Sequence, residues 1–117
     1  MNRMLDSGQS DIEKWKGSFI SGVTRWKGVQ QDRAGLGEGF FVGNEMFVEM
    51  NYTLRMIHVA IKLPKTHQAR AISNEMARSH SNGNAAKDGW VELNIDSQEA
   101  LQNALTLARQ GYMEFQR

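Results

Sequence analysis

The sequence predicts an α+β fold: an antiparallel sheet of four to five strands with helices packed on one face, in the order α-β-β-β-α-β-α. Three observations carry this. Apolar residues recur at helical spacing near each end of the chain. They alternate at strand spacing between about 38 and 61. A second alternating run, Trp90 to Ile95, stands just before the closing helix.

The first helix is expected from Ser10 or Asp11, either of which can cap it, with Glu13 favourably placed in the first turn. Ile12, Trp15, Phe19, Val23 and Trp26 make one apolar face, and Lys27-Gly28 ends it. Residues 1–9 read as a flexible N-terminal arm, and residues 10–117 as a single α+β domain. Val29 to Arg33 has the length of a short edge strand, and Gly35, Gly37 and Gly39 make a turn. Phe40 to Val42 is apolar, and Gly43-Asn44 is a hairpin signal. In Glu45–Tyr52, Met46, Val48, Met50 and Tyr52 alternate with Glu45, Phe47, Glu49 and Asn51. Phe41 and Phe47 then share the face opposite Met46 and Val48. Two apolar sheet faces would need a second cover, for which a homodimer is one solution.

Met56 to Ile61 is the next strand, with Ile57, Val59 and Ile61 on one side. Pro64 suits the start of a helix with Ala69, Ile72, Met76 and Ala77 on its apolar stripe. Ser79 to Asp88 is rich in Ser, Asn and Gly and reads as a loop. After the Trp90–Ile95 strand, Asp96 and Glu99 have capping-box spacing. Leu101, Ala104, Leu105, Ala108 and Tyr112 line the closing helix.

Composition excludes several chemistries. The chain of 117 residues has no Cys, which removes disulfides, thiolate metal sites and a Cys nucleophile. Met1 to Ser10 is polar and no long apolar run occurs, so neither a signal peptide nor a membrane span is expected, and a cytoplasmic location is. Formal net charge is +1, but residues 53–87 hold six basic side chains against one acidic. Packing against the acidic C-terminal third accounts for this basic middle. An anionic partner reached through Arg55, Lys62, Lys65 and Arg70, nucleic acid included, is the alternative.

Catalytic and metal motifs are missing. The glycines of Gly35-Leu36-Gly37-Glu38-Gly39 precede a strand rather than a helix, and Glu38 would repel a phosphate, so no nucleotide cofactor is expected. His58, His67 and His80 have no i, i+4 pairing, so no metal site is expected. His58 reads as a half-buried strand residue and His67 as a solvated helix residue. Glu49 and Glu92 fall on the polar sides of their strands, where carboxylates meet water. No Gly-x-Ser-x-Gly elbow occurs. An enzyme would have to use His80 with a neighbouring carboxylate.

One resemblance covers residues 26–115. Trp26-x-Gly28-Val29, Gly39-Phe40-Phe41-Val42-Gly43 and Ile61-Lys62-Leu63-Pro64 begin it. Ala77-x-x-His80, Gly89-Trp90-Val91 and Leu105-x-Leu107-Ala108-Arg109-x-x-Tyr112 complete it. Together they resemble the bacterial luciferase-domain family of unknown function, and more distantly the MmcQ/YjbR-like proteins of double-wing DNA-binding shape, a likeness that implies nucleic-acid binding through the basic 53–87 region as the alternative function. The resemblance implies an α+β fold and marks His80, Trp90, Arg109 and Tyr112 as matching positions, read as ligand contacts or as structural residues. Trp90 would pack on the closing helix, and Arg109 would pair with a carboxylate such as Glu92. The histidines that many members carry in the central strands are replaced here by Phe47-Val48-Glu49-Met50. The resulting expectation is a non-catalytic module that binds a small ligand or a protein through one sheet face.

Overall fold

The computed structural model describes the backbone of residues 3–116 and the side chains of residues 11–116. Helix α1 (Arg3–Thr24) leads into four strands, β1 (Val29–Ala34), β2 (Gly37–Val42), β3 (Glu45–Tyr52) and β4 (Ile57–Lys62). Helix α2 (Lys65–Ser73), a short β5 (Arg78–Ser79), α3 (Gly83–Lys87), β6 (Trp90–Asn94) and α4 (Gln98–Met113) follow, with a closing 3-10 turn at Glu114–Gln116. The six strands form one sheet in the order β1-β2-β3-β4-β6-β5, and every neighbouring pair is antiparallel.

The α+β class and the antiparallel sheet match expectation; the strand count and element order do not. The edge strand β1 forms in full. The stretch expected as a loop from Ser79 to Asp88 contains the end of β5 and the single turn of α3. Asn82 caps that turn, its side chain accepting from the Asn84 and Ala85 amides. Helix α1 starts at Arg3 rather than at a Ser10 or Asp11 cap, so helical backbone replaces most of the expected arm; residues 1 and 2 of that arm lie outside the described residues. Helix α2 stops at Ser73, short of Met76 and Ala77. Asn74 caps it, Glu75 turns into the left-handed region at φ 58°, and the Met76 amide donates back to the Ala71 carbonyl. At the start of α4 the cap is Ser97, not Asp96: Ser97 Oγ accepts from the Ala100 amide at 3.0 Å.

The core lies between the sheet and the α1/α4 pair. Val48, Ile61 and Val91 align across β3, β4 and β6, as do Met50, Val59 and Leu93 one step along. All six are buried, against Phe19 and Val23 of α1 and Leu101, Ala104, Leu107 and Ala108 of α4 in one cluster. Each such side chain removed from water contributes about 1.5–3 kcal/mol.

The alternation in β3 breaks at one place. Phe40 faces Val48 and Phe41 faces Met46, so Phe47 is an extra residue, a β-bulge. Phe47 and Val48 are consecutive yet both buried. The Phe47 ring lies 6.2 Å from that of Tyr112 and 5.8 Å from that of Phe115, on the helix side. The expectation that Phe47 shares a face with Phe41 is therefore wrong. Phe41 instead shares the opposite face with Met46, and both are only half-buried.

Two close approaches pin α4 and the start of β6 to the end of β4. A Cβ on Gly111 would sit 2.5 Å from the Lys62 carbonyl oxygen, and one on Gly89, at φ 103°, 2.1 Å from that of Leu63. Only glycine lets α4 and the β6 start come this near to the end of β4.

Two stability outcomes follow from this packing. Phe47→Ala is expected to cost about 3–5 kcal/mol and Phe41→Ala about 1 kcal/mol. Urea unfolding checks this; equal costs would refute the bulge assignment. Gly111→Ala is expected to cost roughly 1–3 kcal/mol because a backbone oxygen, not a flexible side chain, stands in the way.

Candidate functional site

Strand order decides which polar residues meet. Helix α2 carries the chain from β4 past β6 to β5, so β4 and β5 flank β6. On the face opposite α1 and α4 the register aligns Gly39, Glu49, Ala60, Glu92 and Arg78 across β2, β3, β4, β6 and β5. Asn51, His58 and Asn94 form the next row.

Glu92 is the centre of this face. Its residue is 6% exposed and it is the buried charged residue of the described chain. Arg78 Nε stands 3.3 Å from Oε1, His58 Nε2 3.5 Å from Oε2, and His80 Nε2 3.8 Å from Oε2. These three side chains cover the carboxylate and supply positive charge or polar N–H groups. The expectation that Glu92 meets water on the polar side of its strand is corrected. The side is right, but its neighbours shield it.

His80 is held at one nitrogen and faces the carboxylate with the other. Its Nδ1 accepts from the Asn82 amide at 3.0 Å, which places the neutral ring's proton on Nε2, the atom facing Glu92. Its own amide donates to the Trp90 carbonyl at 3.3 Å, extending the β5–β6 pairing by one residue. His58, half-buried as expected, points Nε2 at the same carboxylate. His67 differs from expectation: it is half-buried, and its Nδ1 is buried without a hydrogen-bond partner.

The four matching positions of the family resemblance separate into two groups. His80 and Trp90 belong to the Glu92 face, where Trp90 lies opposite Lys62 and on the other side of the strand from buried Val91. Trp90 does not pack on the closing helix. Arg109 and Tyr112 belong to α4. The Arg109 guanidinium lies 5.2 Å from the Trp26 ring and 5.0 Å from that of Tyr112, so it stacks on aromatics instead of pairing with Glu92. The Tyr112 hydroxyl donates to the Lys27 carbonyl at 2.6 Å and ties the turn after α1 to α4.

The basic residues do not form one patch either. Arg55 sits in the β3–β4 turn, at the opposite end of β4 from Lys62. Arg70 is exposed on α2. Lys62 and Lys65 line a cleft of about 420 Å³ with Phe47 and Phe115, but Glu45, Asp88 and Glu114 line it too. Lys65 also donates to the Lys87 carbonyl. Arg78 is committed to Glu92.

Among the described residues, no group of three His, Asp or Glu side chains is placed to hold a metal ion, and no helix is long and apolar enough to cross a membrane. No protein-family model matches the chain, and no curated protein matches it.

Sequence reasoning passed over the Glu92 hub and Arg78. Alternation alone puts His58 on the same side of β4 as Ala60, and Glu92 on the same side of β6 as Asn94. The missing information was that β4 and β6 are neighbours, with β5 beyond.

Two substitutions test these assignments. Glu92→Ala is expected to cost roughly 1–3 kcal/mol, since it removes the common partner of three side chains; a cost near zero in urea unfolding would show that the cluster contributes nothing. Tyr112→Phe is expected to cost about 1 kcal/mol through the bond to Lys27, with no effect on the Glu92 face by amide chemical shifts.

Proposed function

We propose that this chain is a non-catalytic binding module that receives a small ligand or a segment of a partner protein on the sheet face opposite α1 and α4. The observation carrying this reading is the arrangement of that face. Phe41, Met46 and Trp90 are half-buried on it, outside the core cluster, and they lie to one side of a polar centre whose members face one another. Gly39 brings the apolar part together. A Cβ there would meet Phe41, Ala34 and Met46 within 2.9 Å, so these three side chains close over a bare backbone. Apolar surface of this kind beside fixed polar groups is what a recognition site offers.

The same geometry speaks against acid–base work by His80. A catalytic imidazole needs a nitrogen free to exchange a proton with substrate. Here one nitrogen takes the Asn82 amide and the other faces a carboxylate that Arg78 and His58 also engage. The cluster itself contains no hydroxyl, thiol or amine nucleophile. Kinship with the luciferase-domain family is part of this proposal and rests on the sequence motifs. Nucleic-acid binding finds no support in the dispersed basic residues.

The test is a fragment collection screened by amide chemical shifts of the labelled chain. Shifts are expected at Gly39, Phe41, Met46, Ala60 and Trp90, and loss of those shifts in Met46→Lys. Hits confined to other surfaces, or no hits, would overturn the reading.

A further inference from the structure

One end of the molecule concentrates exposed apolar surface. Strands β2 and β3 are antiparallel neighbours, so the β1–β2 turn and the β3–β4 turn emerge side by side; a Cβ on Gly37 would touch Asn51 Oδ1 at 2.5 Å. Of the six large apolar side chains exposed among the described residues, four belong to these two hairpin ends: Leu36, Tyr52, Leu54 and Met56. Leu36 is 105% exposed and Leu54 69%. Residues 33–37 and 51–56 contain Arg33 and Arg55 and no carboxylate. Glu38 stands opposite Arg33, and Glu13 and Lys16 line the hollow beside Tyr52 and Leu54, so the basic apolar part of the tip is the Leu54-Arg55-Met56 turn.

The same end carries a surface of opposite character. The Ile95 amide donates to the Ile57 carbonyl, so the end of β6 lies beside the start of β4 and hence beside the β3–β4 turn. There a groove of about 520 Å³ opens between α2 and the start of α4. Ile72, Met76 and Leu93 line it, and Ile72 is the fifth of the six exposed apolar side chains. Glu75, Asp96 and Glu99 also line it, whereas its one basic residue, Arg78, is paired with Glu92.

We propose that a second copy of this chain docks here: the Leu54-Arg55-Met56 tip of each protomer enters the acidic-rimmed groove between α2 and α4 of the other, across a two-fold axis. Charge complementarity selects the occupant. A basic apolar tip fits an acidic apolar groove, and both lie at one end of the same molecule. A two-fold uses each surface twice and closes the assembly at two copies. It removes Leu54 and Met56 from water and makes each contact twice, where a specific interface needs roughly 1,000 Å². Arg78 borders both this groove and Glu92, but Phe41, Met46 and Trp90 lie outside the groove, so the apolar part of the candidate site stays open on both protomers and this inference stands apart from the proposed function.

The test is mass by light scattering and sedimentation on the purified chain. The wild type is expected to be a dimer at about 100 µM, a concentration that populates complexes of micromolar affinity. Leu54→Asp with Met56→Asp, both at exposed positions, is expected to give a monomer with unchanged circular dichroism. Arg55→Glu is expected to weaken the dimer at least about tenfold. Combining Arg55→Glu with Glu75→Arg and Asp96→Arg is expected to restore it. A monomeric wild type, a dimer that survives Leu54→Asp/Met56→Asp, or a charge reversal without rescue would each overturn the proposal.

Discussion

One inserted residue sets the two faces of this sheet. Without the bulge at Phe47, strict alternation would leave that ring on the face opposite the helices and the aromatic contact with Tyr112 and Phe115 unmade. With it, Phe47 and Val48 both turn inward. The inward turn extends the core to the end of α4, where Tyr112 in turn holds the turn between α1 and β1 through the Lys27 carbonyl. The outward consequence is that Met46 joins Phe41 over Gly39. A single irregularity thus completes the core on one side and creates the apolar part of the candidate site on the other.

The second organising feature is electrostatic. A sheet with helices on one face leaves its other face to solvent or to a partner, and an uncovered central strand is most easily kept polar. Glu92 is polar but not solvated. Burying a carboxylate is costly unless donors surround it, and here three side chains from β4, β5 and the residue after β5 converge on it. The cluster fastens the two-residue strand β5, which has little backbone pairing of its own, to the sheet. Its chemistry is that of a structural knot. Each histidine uses Nε2 toward Glu92, and His80 has its second nitrogen occupied as well.

Of the fold, the helices at the ends and the alternating strands were readable because burial imposes a period on side chains that local sequence preserves. The readings that failed had separate causes. Glycine spacing disguised the start of β2. The capping preference of Asp96 lost to Ser97, whose hydroxyl reaches the Ala100 amide. The polar stretch from Ser79 to Asp88 hid β5, since two residues carry no period to detect. Trp90 and Arg109 were assigned to partners on the wrong layer, because a motif match along the chain says nothing about which side of a strand faces a helix.

The amino-acid sequence by itself determined the α+β class, the antiparallel central strands, the α4 core face and the absence of thiol chemistry. These depend on residue type and on contacts between near neighbours. The tertiary structure alone decided that β6 inserts between β4 and β5, that a bulge turns Phe47 inward, and that His58, Arg78 and His80 meet at Glu92. Those outcomes depend on pairing between segments far apart in the chain. The free energy that selects such pairing comes from burying whole faces together, a property of the assembled layers that no short stretch encodes.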